Sequence, residues 1–338
     1  MKAVQIIQPG EVRITDIPKP ALSTGEVLVK INYVGFCGSD LNTYLGKNPM
    51  VNLPVVPGHE IGAVIEATGS QVPDHLKQGM ACTVNPYTAC GHCPPCRNMR
   101  PNACRYNQTL GVQRNGAMCE YLVVPWQKII ADQHLTPKQF ALVEPMSVGF
   151  HAVSRAKVTD SDTVMVIGCG MIGLGAVVRS ALRGANVIAV DMDDDKLSLA
   201  KRLGAQETIN SRTEDVHQRL EAITGGDGAD VVIEAVGAPA TYLMAINEAA
   251  FTGRVVCIGY AKTEIAFETK YFVMKELDIR GSRNAMPEDF RAVIAYLKRG
   301  ICPEQELISG VYPPEQAQEA LEKWKSDPGK VFRILVSF

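Results

Sequence analysis

In the C-terminal half, short apolar runs alternate with stretches whose apolar residues recur at helical spacing. The segment "DTVMVIGCGMIGLGAVVRSALRGANVIAVDMDDDKLSLAKRLGA" reads as strand, tight turn, helix, strand and helix, with its first strand at Val164–Ile167. Further strand candidates follow at Glu207–Asn210, Asp230–Gly237, Arg254–Tyr260 and Leu277–Ser282. With the strand ending at Asp191 these make six, mostly separated by helical patterns, which predicts a doubly wound α/β sheet. The N-terminal part differs. Its runs "AVQIIQ", "EVLVKINYVG", "EIGAVIEATG" and "CEYLVV" are short and broken by Gly and Pro, which predicts a compact β-rich domain. The end of the chain, from "RAVIAYLKRG" to "VFRILVSF", carries two helical patterns and a last strand.

Composition narrows the function classes. The 338 residues suffice for about two domains, and an apolar content of 46% supplies a core. A net charge of −2 without a long basic run gives no footprint for nucleic acid or an anionic membrane. The start "MKAVQIIQPGEV" has no signal-peptide pattern, and the uncharged window Val164–Val178 is too short and glycine-rich to span a bilayer. The expectation is a cytoplasmic protein with reduced thiols.

Against that background, "CGHCPPCRNMRPNAC" is informative. Cys90, Cys93, Cys96 and Cys104 follow the spacing C-x2-C-x2-C-x7-C. Four such thiolates suit one tetrahedral zinc ion, and the surrounding Gly and Pro suit an irregular lobe. An iron–sulfur cluster and unligated thiols are the competing readings. Four thiolates leave no open position, so such a metal would be structural.

Chemistry needs an open site. "GFCGSD" carries Cys37, "PGHE" carries His59 and Glu60, and "VEPMSVG" carries Glu144. Singly each reads as a small buried hydrophobe or a satisfied polar group. Together they match one thiolate, one imidazole and one carboxylate around a zinc ion that keeps a position for substrate oxygen. Gly168, Gly170 and Gly173 form G-x-G-x-x-G between a strand and a helix, with Asp191 ending the next strand. That context is a dinucleotide fingerprint: close backbone approach to a pyrophosphate, and an acid for the adenosine ribose.

These motifs, in this order, resemble the zinc-dependent medium-chain alcohol and polyol dehydrogenases over essentially the whole chain, with Glu144 pointing to the sorbitol-dehydrogenase side. The resemblance implies a GroES-like catalytic domain (residues 1–148), a Rossmann NAD-binding domain (149–284) and a C-terminal return to the catalytic domain (285–338). It implies two zinc ions per chain and NAD. It makes Cys37, His59 and Glu144 groups of a catalytic zinc, Glu60 an alternating or second ligand, and Ser39 the first step of a proton relay. A turn hydroxyl is the competing reading of Ser39. Many relatives have a histidine where this chain has Asn42. Cofactor contacts fall on Gly168, Gly170, Ile172, Gly173, Asp191, Lys196, Val236, Ile258, Gly259 and Tyr260, with Lys196 equally readable as a solvated helix position. Asp191, followed by Asp193, Asp194 and Asp195 with no adjacent arginine, favours NAD over NADP.

The loop "KELDIRGSRNAMPEDF" resembles that of L-galactonate and L-gulonate 5-dehydrogenases. That implies oxidation of a hexonate's secondary alcohol to a 5-keto hexuronate such as D-fructuronate or D-tagaturonate, with Arg283 and Asn284 as substrate residues. Loop capping, or pairing with Glu288, is the competing reading of Arg283. A neutral polyol enzyme and an L-threonine 3-dehydrogenase are the alternatives, with a non-enzymatic zinc and nucleotide sensor behind them. A homo-oligomer, dimer or tetramer, is expected.

Overall fold

The computed structural model describes residues 1–338. It forms two compact units, Met1–Pro145 with Met286–Phe338, and Met146–Ala285. The chain leaves the first unit inside the helix Val143–Ala156 and re-enters it just before the helix Pro287–Leu297.

The second unit holds the expected six-stranded sheet. Its strands lie in the order Glu207–Asn210, Asn186–Asp191, Thr163–Ile167, Ala229–Glu234, Ala249–Cys257, Asp278–Gly281, all paired parallel. The strand order reverses between Thr163–Ile167 and Ala229–Glu234, and doubly wound sheets bind ligands at the carboxyl side of such a point. Two strands stop earlier than the apolar runs predict, at Glu234 and Cys257 rather than Gly237 and Tyr260. The reason is local. The Glu234 carboxylate accepts from the amides of Val236 and Gly237 at 2.9 and 2.7 Å, and its carbonyl accepts from Ile258 at 2.9 Å. Those bonds turn both chains out of the ladder and into loops at the carboxyl edge.

The first unit is β-rich. Glu26–Phe36 is the central strand of a seven-stranded sheet, paired antiparallel with Glu60–Thr68, Tyr121–Pro125 and the C-terminal strand Ile334–Ser337. Its core joins Val29, Ile31, Phe36, Ile61 and Ile65 to Leu321, Trp324 and Ile334 from the returning segment. The strands Glu11–Asp16, Ala81–Val84, Ile129–Ala131 and Gly310–Tyr312 were not expected. They are short or polar, and pairing alone defines them. No helix is long and apolar enough to cross a membrane, and all ten cysteines are free.

Candidate metal and dinucleotide sites

The four lobe cysteines come together, with the Sγ atoms of Cys90, Cys93, Cys96 and Cys104 all within 4.8 Å of one another. Backbone amides point at the sulfurs: Cys90 N lies 3.3 Å from Cys104 Sγ, and Cys93 N lies 3.4 Å from Cys90 Sγ. Burial raises a thiol's pKa, but at Cys93 the amides of Arg105 and Cys96 outweigh it and bring the value down to about 6. Burial, followed by the bond to Cys93, pushes Cys96 up to about 11. One thiolate therefore hinders the next, and a bound dication removes that conflict.

A second group forms where two strands end. Cys37 follows the strand Glu26–Phe36 and precedes the helix Gly38–Tyr44, while His59 immediately precedes Glu60–Thr68. Cys37 Sγ, an imidazole nitrogen of His59 and a carboxylate oxygen of Glu60 lie within 4.8 Å of one another. Glu144 is not in that trio. It is buried beside it, close enough for its charge to act on both His59 and Glu60.

The polar atoms of this group call for a cation. Both carboxylate oxygens of Glu60, and His59 Nδ1, are buried with no aligned hydrogen-bond partner. Burial raises Glu60 to about 7 despite the pull of Arg333, whose Nη1 lies 3.1 Å from Glu60 Oε1. At His59 burial opposes the charged ring, yet Cys37 and then Glu144 and Asp40 outweigh it and hold the pKa well above its ordinary value. A soft thiolate, an imidazole and carboxylates are a donor set that zinc accepts, so the residues fit the metal.

Three supporting residues escaped the sequence reading. Asp40, 1% exposed, accepts from Cys37 N at 2.8 Å and fixes the loop that presents the thiol. Arg333 donates to the Phe36 carbonyl at 2.6 Å and lies against Glu60. Its signal was a lone cation in the apolar run "VFRILVSF", since a buried charge needs a partner. Tyr87 donates its hydroxyl to Glu144 Oε1, and no local pattern announces it. Gly35 is also constrained: it lies opposite Glu60 across the strands, and a Cβ there would sit 2.2 Å from Glu60 Oε2.

The residues expected to contact a nucleotide lie at the carboxyl edge of the parallel sheet. Gly170 caps the helix Met171–Leu182 and faces open space, whereas a Cβ on Gly173 would sit 1.7 Å from the Gly168 carbonyl oxygen. One glycine thus admits a ligand and the other lets helix pack on strand. Ile172, Ile258 and Gly259 are half-buried around this edge, and Val236 and Tyr260 are 51% and 72% exposed. Asp191 Oδ2 accepts from Cys169 N at 2.7 Å, and its Oδ1 accepts from Met192 N at 2.7 Å and Asp193 N at 3.1 Å. Lys196 is half-buried on the helix Asp194–Arg202. Arg283 is exposed just past the edge strand Asp278–Gly281, and Asn284 follows it with a left-handed φ of 54°.

Comparison with known proteins gives these clusters a family. Residues 23–134 match the alcohol dehydrogenase GroES-like domain, and residues 172–299 match the zinc-binding dehydrogenase domain. The L-galactonate-5-dehydrogenase of Escherichia coli K12 is 35% identical over 98% of this chain and 97% of its own length. This chain belongs to the zinc-type medium-chain alcohol and polyol dehydrogenases. Sorbitol dehydrogenase of Bacillus subtilis is 32% identical over 99% of the chain and 97% of its own length. Among solved structures, the alcohol dehydrogenase RspB of Escherichia coli CFT073, complexed with NADH, superposes with a TM-score of 0.91 at 30% identity, covering 100% and 99% of the two chains. As a member of this family the chain is an oxidoreductase.

Proposed function

We propose that this chain oxidises a secondary alcohol of a sugar acid, of the L-gulonate or L-galactonate kind, to its ketone with NAD as acceptor, and runs the reverse reaction. The observation that carries the reading is Arg283, exposed on the loop past the edge strand, in a chain 35% identical to an L-galactonate enzyme along its whole length. Neutral polyols are the second reading, supported by the sorbitol dehydrogenase relative at 32% identity.

Cys37, His59, Glu60 and Glu144 would hold the catalytic zinc, and the four lobe cysteines a structural one. When bound, the catalytic ion supplies Lewis-acid polarisation of the substrate hydroxyl, and NAD supplies the hydride acceptor. The chain's own residues do the rest. Ser39 Oγ is buried without a partner and would relay the hydroxyl proton, accepting it only as its own hydroxyl proton passes onward. Asn42 Nδ2 donates to the Gly38 carbonyl at 2.9 Å, and an amide carries no titratable proton, so the onward route does not run through it. The Gly168–Gly173 turn receives the pyrophosphate, and Asp191 accepts from the adenosine ribose.

A metal that needs only a hydroxyl cannot select a hexonate over a hexitol. A planar, permanently charged guanidinium reads a carboxylate with two parallel bonds. Arg283→Ala should therefore lower kcat/KM on L-gulonate or L-galactonate by roughly 100-fold, the scale of about 3 kcal/mol for a lost charged partner. Neutral alcohols should lose far less, and NADH affinity should stay within about threefold. A turnover panel of aldonates, polyols and threonine tests both parts. Preference for sorbitol or threonine over every aldonate would refute the sugar-acid reading, and equal loss on all substrates would refute the role of Arg283.

We also propose that the chain forms a homo-oligomer. Support comes from apolar side chains at one margin of the second unit: Val273 and Met274 on the helix Lys270–Met274 are 84% and 61% exposed, and the edge strand Asp278–Gly281 exposes Ile279. Exposed edges and apolar patches of this kind are normally covered. Sedimentation velocity should show a dimer or tetramer; a monomer alone at micromolar concentration would refute it.

A further inference from the structure

Tyr87 follows the strand Ala81–Val84 and precedes the cysteine lobe, and it is buried. Its hydroxyl donates to Glu144 Oε1. The rest of the residue is held by other means. The amide donates to Asn85 Oδ1 at 3.1 Å, and the carbonyl accepts from Lys128 Nζ at 2.5 Å. The ring stands edge-on to Phe290, centroids 6.3 Å apart at 76°.

The two carboxylates of the Cys37 group are thus held differently. Glu60 lies against a cation, Arg333, which competes with any metal for its charge. Glu144 Oε1 accepts from a phenol, which orients a carboxylate without cancelling its charge. We propose that Tyr87 is the positioning residue for Glu144, fixing that carboxylate beside Cys37, His59 and Glu60 so that it stabilises the catalytic metal. This rests on the reading of that group as a zinc site. Sequence offers no hint of it, because Tyr87 and Glu144 meet only through the fold of the first unit.

Tyr87→Phe isolates the effect, since it keeps the ring, the edge contact and the backbone bonds. The zinc-loaded enzyme is challenged with a chromogenic chelator and zinc release is followed in time. The four-thiolate ion serves as the internal control and should leave slowly. Tyr87→Phe should speed release of the faster ion about tenfold or more, the usual scale for a partner of a metal ligand, and leave the slow phase unchanged. In a Glu144→Gln background, adding Tyr87→Phe should change the fast phase less than twofold, because the two residues act as one. Fast release within twofold of wild type, equal acceleration of both phases, or additive effects of the two substitutions would each overturn the proposal. Wild type that carries only the slow ion would overturn the metal reading itself, and the proposal with it.

Discussion

Cys93→Ser should yield aggregated or barely recoverable protein, whereas Cys37→Ser should yield folded protein that binds NADH and turns over substrate at least about a thousandfold more slowly. The difference follows from what surrounds each sulfur. Between Cys90 and Cys104 the buried residues are Cys93, Asn102 and Cys104, so no large apolar side chain packs to hold the segment. Cys93 Sγ lies 3.5 Å from Cys96 Sγ and 3.7 Å from Cys104 Sγ, at the centre of the thiolate cluster. Structural zinc sites contribute about 10–16 kcal/mol of apparent binding free energy, comparable with the whole stability of a domain, so losing one ligand is expected to be felt as unfolding. Cys37, by contrast, sits at the end of a strand whose neighbours Val34 and Phe36 are in the main core. On the proposed reading, its replacement would remove a metal ligand and leave the packing intact. Metal analysis of the two variants gives the check: Cys37→Ser should retain about one zinc per chain. Soluble, active Cys93→Ser together with unfolded Cys37→Ser would show that the two roles are exchanged.

The second large effect is cofactor choice. NAD should be preferred to NADP by roughly a thousandfold in kcat/KM. The Asp191 carboxylate is pinned by the amides of Cys169, Met192 and Asp193, so it cannot swing aside when a 2′-phosphate arrives. Two unit charges at 4 Å repel by about 4 kcal/mol at an effective dielectric of 20, which is the thousandfold expected. The fold adds a cation that the linear order of residues hides. Asn210 pairs with Asp191 across the sheet, and exposed Arg212 follows two residues on. Arg212 and Lys196 would attract the phosphate, and fixed Asp191 opposes them. Asp191→Ser should then narrow the NAD preference by about 100-fold, with those two cations left to bind the phosphate. Equal or better kcat/KM with NADP in the wild type would refute the assignment.

Much of the architecture was legible in local pattern. The glycine turn, the apolar strands and the four-cysteine lobe are each encoded within a few dozen residues, because tight turns, continuous apolar runs and closely spaced thiols constrain the chain where they stand. The parallel sheet, with Asp191 at the end of its second strand in chain order, followed from those signals. Strand ends did not. Glu234 looked like part of an apolar run, and only its carboxylate, accepting from Val236, Gly237 and Thr241, reveals it as the end of one. Short pairing strands such as Ala81–Val84 were invisible for the same reason, since partners rather than composition define them. The surroundings of Cys37 and His59 depended on the tertiary structure most of all. Cys37, His59 and Glu60 lie near one another in sequence, but Tyr87 and Arg333 arrive from distant segments, and Glu144 stands outside the close trio. Local sequence determines which residue types can bind a cation. Where each carboxylate points is decided by long-range packing, because a buried charge goes where the fold supplies a partner.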